Sequence, residues 1–129
     1  MAYSEQEQRN LELVRSMYER VLFALDADAV DDHIAQEYIQ HSSLAEPGID
    51  GLKNWLRKAR VESPEARQTL HHLFADGDHV FGHTHVVRWP GDRGFAVMDL
   101  YRIEDGRIKE HWDVLQEIPE TPVNPTPMF

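Results

Sequence analysis

The chain of 129 residues contains no cysteine, which excludes disulfide staples and thiolate chemistry. No apolar run approaches membrane-spanning length, so no membrane partner is expected. The polar start, MAYSEQEQRN, lacks the apolar segment of a secretory signal, and a cytoplasmic protein is the expectation. Positive charge is scarce: 13 Lys and Arg stand against 23 Asp and Glu, a formal net charge of −10. That balance argues against nucleic acid or an anionic membrane as a partner. Repeats and low-complexity tracts are also missing, so the chain reads as one domain over residues 1–129, with 117–129 as an extended tail.

What is present is an ordinary globular composition, 41% hydrophobic and 28% charged, enough for a single core and one buried pocket. Eight histidines are many for this length and direct attention to acid–base or metal chemistry.

Ser4 with Glu7 forms a capping-box pattern, and Leu11, Val14, Tyr18, Val21, Leu22 and Leu25 follow at helical spacing. The spacing predicts a helix over 5–25. Asp28 can then cap a short second helix through Val30, Ile34 and Ala35. Residues 37–42 read as a brief strand running into a loop at Pro47-Gly48. From Ile49, the stripe Gly51, Leu52, Trp55, Leu56 and Ala59 predicts a third helix.

The remainder reads as strands over 67–75, 79–89, 95–104 and 107–116, separated by turn-forming stretches. Four of the seven prolines fall at or after Pro119, so the tail is expected to be extended. Helices first and strands afterwards is the α+β order. A curved antiparallel sheet packed against three N-terminal helices would enclose a cone-shaped pocket. Its outer face, carrying Trp112 and Val114, is expected to pair with a second copy.

The densest polar chemistry lies in the last hairpin. His111 and Asp113 are two apart on one strand and share a face. The place of Asp99 depends on the turn. A two-residue loop, Asp105-Gly106, puts Asp99 opposite Trp112. A three-residue loop, Glu104-Asp105-Gly106, puts it opposite His111 and gathers three ionisable groups; this second register is the expected one.

In an apolar cavity desolvation raises the pKa of a carboxylate, which would let Asp113 exchange protons near neutrality. His111 would hold Asp113 ionised or share its proton, and a neutral Asp99 would donate to an oxyanion. The bland alternative is a hydrogen-bonded structural pair at a sheet end. His41 follows a strand and would line the pocket mouth or cap the loop. Tyr18, Trp55, Phe74 and Tyr101 are candidates for core or pocket wall. His83 and His85 share a face and would need a third ligand, such as His111 or Asp113, to hold a metal. Their spacing matches no recognised metal motif, and no metal is expected.

Three segments resemble a known family: Tyr38-Ile39-Gln40-His41 with Pro47-Gly48 and Gly51; residues 99–108, DLYRIEDGRI; and Glu110-His111-Trp112-Asp113. Together they look like SnoaL-like polyketide cyclases of the NTF2-like superfamily, which share a conical α+β fold with ketosteroid isomerases. The closing residues 124–129 also resemble the tail of bacterial members. The resemblance implies cofactor-free proton transfer on a small hydrophobic carbonyl compound, by intramolecular aldol cyclisation or isomerisation. It implies Asp113 as the pocket acid/base, Asp99 as an oxyanion donor and His41 at the isomerases' base position. The isomerases' helix-one tyrosine would fall near Val21. The expected catalytic set is therefore Asp113, Asp99, His41 and His111. The expected pocket set is Tyr18, Tyr38, Trp55, His83 and Tyr101. A non-catalytic binding or dimerisation module, and a metal-dependent hydrolase or lyase on His83 and His85, are the alternatives.

Overall fold

Residues 2–129 are described by a computed structural model. The capping box forms as expected: the Ser4 hydroxyl accepts from the Glu7 amide at 3.1 Å, and the Glu7 carboxylate accepts from the Ser4 amide at 2.9 Å. It opens helix α1 (Glu5–Met17). The regular α-helix stops earlier than its apolar spacing predicts. Tyr18–Leu22 continues as a π-helical turn, in which the Phe23 amide donates to the Tyr18 carbonyl at 2.7 Å. Such a turn adds a residue and re-aims the side chains around it.

A 3₁₀ turn follows over Ala27–Asp32. Asp26 caps it, accepting from the Asp28 amide at 3.0 Å; Asp28 does not. Ile34 and Ala35, expected in this helix, instead open strand β1 (Ile34–Gln40). The Ile108 amide donates to the His33 carbonyl at 2.9 Å and docks Ile34 beside Ile108, so tertiary pairing overrides the local helical pattern. Helix α2 (Gly48–Glu62) buries Ile49, Leu52 and Leu56, the stripe read from its spacing.

Strands β2 (Arg67–Asp76), β3 (His79–Val87), β4 (Phe95–Glu104) and β5 (Arg107–Glu117) fall within two residues of their expected bounds. They form the expected antiparallel meander. The sheet order is β1-β5-β4-β3-β2, and β1 joins the edge parallel to β5. The helical segments pack on one face of this curved sheet, and the core lies between: Val14, Tyr18, Val21, Val30, Leu56, Val80 and Ile108 are essentially inaccessible. The tail is extended, and the Phe129 ring returns to the outer face, 4.6 Å from the ring centres of both His71 and His85. No helix among the described residues is long and apolar enough to cross a membrane.

Candidate active site

The hairpin joining β4 and β5 sets the site. Asp105 and Gly106 both take positive φ, 52° and 72°, as a two-residue turn of mirror-image type requires. Glu104 therefore pairs with Arg107 and Ile103 with Ile108. Continued unbroken, this register would set Asp99 against Trp112, on the wrong face. A β-bulge intervenes: Lys109 is the extra residue, Arg102 pairs with Glu110, and every later pair shifts by one. Asp99 ends opposite Asp113, and Tyr101 opposite His111. The expected three-residue loop is not used. The cluster of Asp99, His111 and Asp113 forms all the same, through a turn plus a bulge.

Asp99 is 6% exposed and His111 8%. The Tyr18 hydroxyl donates to Asp99 Oδ2 at 2.7 Å, and His111 Nε2 lies 2.8 Å from Asp99 Oδ1. His111 Nδ1 lies 2.7 Å from Gln40 Oε1. That oxygen also accepts the Ser42 amide at 3.0 Å, while Gln40 Nε2 donates to the Tyr38 hydroxyl at 2.8 Å. A backbone N–H can only donate, so the Gln40 amide has one orientation and His111 Nδ1 must carry a proton. A further proton lies between His111 Nε2 and Asp99 Oδ1. Both imidazole nitrogens are committed, and neither is free to accept from a ligand.

Asp113 is different. It lines the same cavity, with the Ser42 hydroxyl beside it, and takes no part in the Asp99–His111 hydrogen bond. Desolvation pushes its carboxyl above the usual carboxylate range, with repulsion from Asp99 adding to the effect; His111 and the Ser42 hydroxyl oppose it. Burial and the Asp99 charge also push the Tyr18 and Tyr101 phenols up, so both remain protonated donors. The Tyr101 hydroxyl is buried and has no hydrogen-bond partner, although its ring stacks on His111 at 4.8 Å and meets Tyr18 edge-on at 5.7 Å. The Tyr18 hydroxyl lies close enough to push the Tyr101 phenol up further, so this donor is not isolated.

Gly82, in the middle of β3, pairs with Asp99. A β-carbon there would collide with the Tyr18 hydroxyl oxygen. The glycine thus vacates the space through which Tyr18 reaches Asp99.

These groups occupy one end of a cavity of about 220 Å³. Its walls are mostly apolar, with Met17, Leu22, Leu52, Trp55, Val97 and Leu115 prominent. Arg88 and Phe95 stand at the other end of the β3–β4 row. Asp99, His111 and Asp113 each present one atom within 4.8 Å of the others, a spacing a metal could use. Asp99 and His111 spend those atoms on each other, and a cation would have to break that bond.

Of the expected site residues, Asp99, His111, Asp113, Tyr38, Trp55 and Tyr101 line this cavity, and Tyr18 touches it through Asp99. His41 does not. Gln40 takes the inward position beside His111, so the next residue faces outward; His41 stacks on Trp112 at 4.9 Å and lies 2.7 Å from Glu110. His83 also faces outward, because Thr84 faces in; it stacks on His72 at 5.3 Å. Phe74 is 48% exposed beside Phe81 on that same surface. His83 and His85 lie across the sheet from His111 and Asp113, so the four cannot share an ion. The tyrosine reaching the site is Tyr18, three residues before Val21, which is core. Gln40, Ser42, Gly82 and Arg88 were not singled out from sequence. Strand alternation around His41 and a glycine inside a strand were the available signals.

The SnoaL-like domain family matches residues 14–111. Among curated proteins, none matches the sequence. Solved structures share the fold. A proposed polyketide cyclase from Bacillus cereus superposes with a TM-score of 0.75 at 19% identity, covering 88% of this chain and 78% of its own. A proposed SnoaL-like polyketide cyclase from Jannaschia gives 0.73 at 18%, covering 89% and 90%. An NTF2-like protein from Mesorhizobium loti gives 0.73 at 20%, covering 89% and 97%.

Proposed function

This chain belongs to the SnoaL-like domain family, and from that premise we propose that it catalyses cofactor-independent proton transfer on a small hydrophobic carbonyl compound. One observation carries the reading: Asp113 is a half-buried carboxylate opposite Asp99 on the neighbouring strand, at one polar end of a mostly apolar cavity. Desolvation raises its proton affinity, which suits a group that must both take and return a proton.

In this mechanism Asp113 removes a proton from the carbon next to the substrate carbonyl. The electron pair moves to the carbonyl oxygen, and negative charge leaves Asp113 for the enolate. The Tyr101 hydroxyl supplies a donor near that charge, while the Asp99–His111 pair, its hydrogens already committed, keeps the polar end of the cavity in place. The enolate carbon then attacks a second carbonyl, or the double bond shifts. Asp113 returns its proton to the alkoxide oxygen or to a different carbon. Asp99 accepts from Tyr18, which favours its acceptor role and makes it the anchor of His111 more than an oxyanion donor.

The test uses 2-tetralone, a bicyclic ketone with acidic neighbouring C–H bonds, in D₂O. The protein accelerates deuterium uptake above the buffer rate, and Asp113→Asn loses about 10²–10⁴-fold of that acceleration. Binding of the ketone without accelerated exchange would instead mark a non-catalytic binding module. The expected homodimer belongs to the same proposal: Met98 and Val114, 54% and 73% exposed on the outer face, support pairing with a second copy.

A further inference from the structure

Arg88 stands at the cavity end away from Asp113, and nothing in proton transfer requires it. Its guanidinium is held on three sides. Nε donates to Asp92 Oδ2 at 2.9 Å and Nη2 to Asp92 Oδ1 at 3.0 Å. The group also lies 4.4 Å from the Trp89 ring centre and 4.8 Å from that of Phe95. Asp92 is itself nearly buried, at 8% side-chain exposure, and accepts the Arg88 amide at 3.0 Å. The result is a planar donor whose orientation is set before binding, at 35% side-chain exposure. Among the described residues, no protein acceptor is hydrogen-bonded to its Nη1. A staple for the β3–β4 loop would do its work without lining the cavity.

We propose that Arg88 is a second polar pole, which holds a neutral oxygen acceptor at the far end of a substrate whose carbonyl end reacts at Asp113. The assignment of the reacting end rests on the proton-transfer reading. Charge selects neutrality. Asp92 already balances Arg88, and Glu117 adds a further negative charge nearby, so a carboxylate would enter a site with no spare positive charge. A carbonyl, ether or hydroxyl oxygen takes the free N–H without that repulsion. Length follows from the register. Val86 pairs with Phe95, and Phe95 precedes Asp99 by four residues, roughly 13 Å of strand. Side chains reach inward from both ends. Between them Val86, Val97 and Leu115 line the wall. The substrate class is therefore an apolar, uncharged compound with an oxygen at each end.

Three probes test this by calorimetric titration of the full chain: 2-tetralone, 6-methoxy-2-tetralone and the corresponding 6-carboxylate. The methoxy compound binds about tenfold tighter than 2-tetralone, as one hydrogen bond to a charged donor predicts. The carboxylate gains nothing. In the paired variant Arg88→Met with Asp92→Asn, which leaves no charge stranded, the methoxy and parent compounds bind alike. No methoxy advantage in the unmodified protein, an advantage surviving in the variant, or tightest binding by the carboxylate would each overturn the proposal. Deuterium uptake by 2-tetralone in the unmodified protein reports on Asp113 without a distal oxygen. The base reading and the Arg88 reading therefore fail separately.

Discussion

The two faces of the β4–β5 hairpin are built from alternating residues of the same two strands, yet they follow opposite rules. The inner face carries Asp99, Tyr101, His111 and Asp113, ionisable groups placed where water is scarce. The outer face carries Met98, Leu100, Trp112 and Val114, apolar groups left partly or largely exposed. Usual burial preference is inverted on both sides. The inner inversion is sustained by hydrogen bonds, which commit Asp99 and His111 to each other, to Tyr18 and to Gln40. Among the described residues the outer face has no such network: Trp112 stacks on His41, and Met98 and Val114 stand exposed. On the proposed reading the inner face serves a ligand and the outer face a second copy.

The largest expected effect comes from Asp113→Asn, with its loss of about 10²–10⁴-fold in exchange. Its stability runs the other way. A raised carboxyl pKa means that ionisation is less favourable in the folded chain, so parent stability falls as pH climbs from the ordinary value of 3.8 through the raised one. The asparagine variant does not share that fall. At about pH 7 it melts at or above the parent temperature, and the difference closes in acid. A melting temperature clearly below the parent's at neutral pH would make Asp113 a structural residue.

Much of this was legible in the sequence because strands announce themselves by turns. Asp76-Gly77-Asp78 and Glu104-Asp105-Gly106 bracketed β3 and β4 closely, and period-two alternation put His111 and Asp113 on one face. The failures are of two kinds. Ile34-Ala35 and the end of α1 were misread because long-range pairing with Ile108 and a π-turn at Tyr18 override local spacing. His41 and His83 were misassigned by one residue of parity. Each is adjacent to the residue that faces in, Gln40 and Thr84, and a single strand gives no absolute phase. Gln40 itself was invisible, because its role arises only when parallel β1 is laid beside β5.

A smaller effect probes how the inner face is held. Gly82→Ala thrusts a methyl group onto the Tyr18 hydroxyl and should destabilise by about 1–3 kcal/mol, the usual cost of overpacking. Tyr18→Phe alone removes one hydrogen bond from buried Asp99 and should cost a similar or slightly smaller amount, about 1–3 kcal/mol. The double variant is informative because phenylalanine vacates the space that alanine fills. Chemical denaturation should find it less destabilised than the sum of the two singles by at least about 1 kcal/mol. Strict additivity would mean that Gly82 and Tyr18 do not compete for one volume.

The smallest effect on the chain itself should come from the outer face. Met98→Lys with Val114→Lys alters two side chains that are already exposed, and each surface change should shift the stability of an isolated chain by no more than about 0.5 kcal/mol. If a second copy covers this face, the same charges are brought face to face and the association is lost. Sedimentation velocity should then report a dimer for the parent and a monomer for the variant, and only the parent's melting temperature should rise with protein concentration. Deuterium uptake per chain should stay within about twofold, because neither residue lines the cavity. A parent that sediments as a monomer at every concentration would break the link between exposed apolar surface and self-association. It would leave the outer face as bare as the inner one is closed, and the inversion would then need an explanation on one side only.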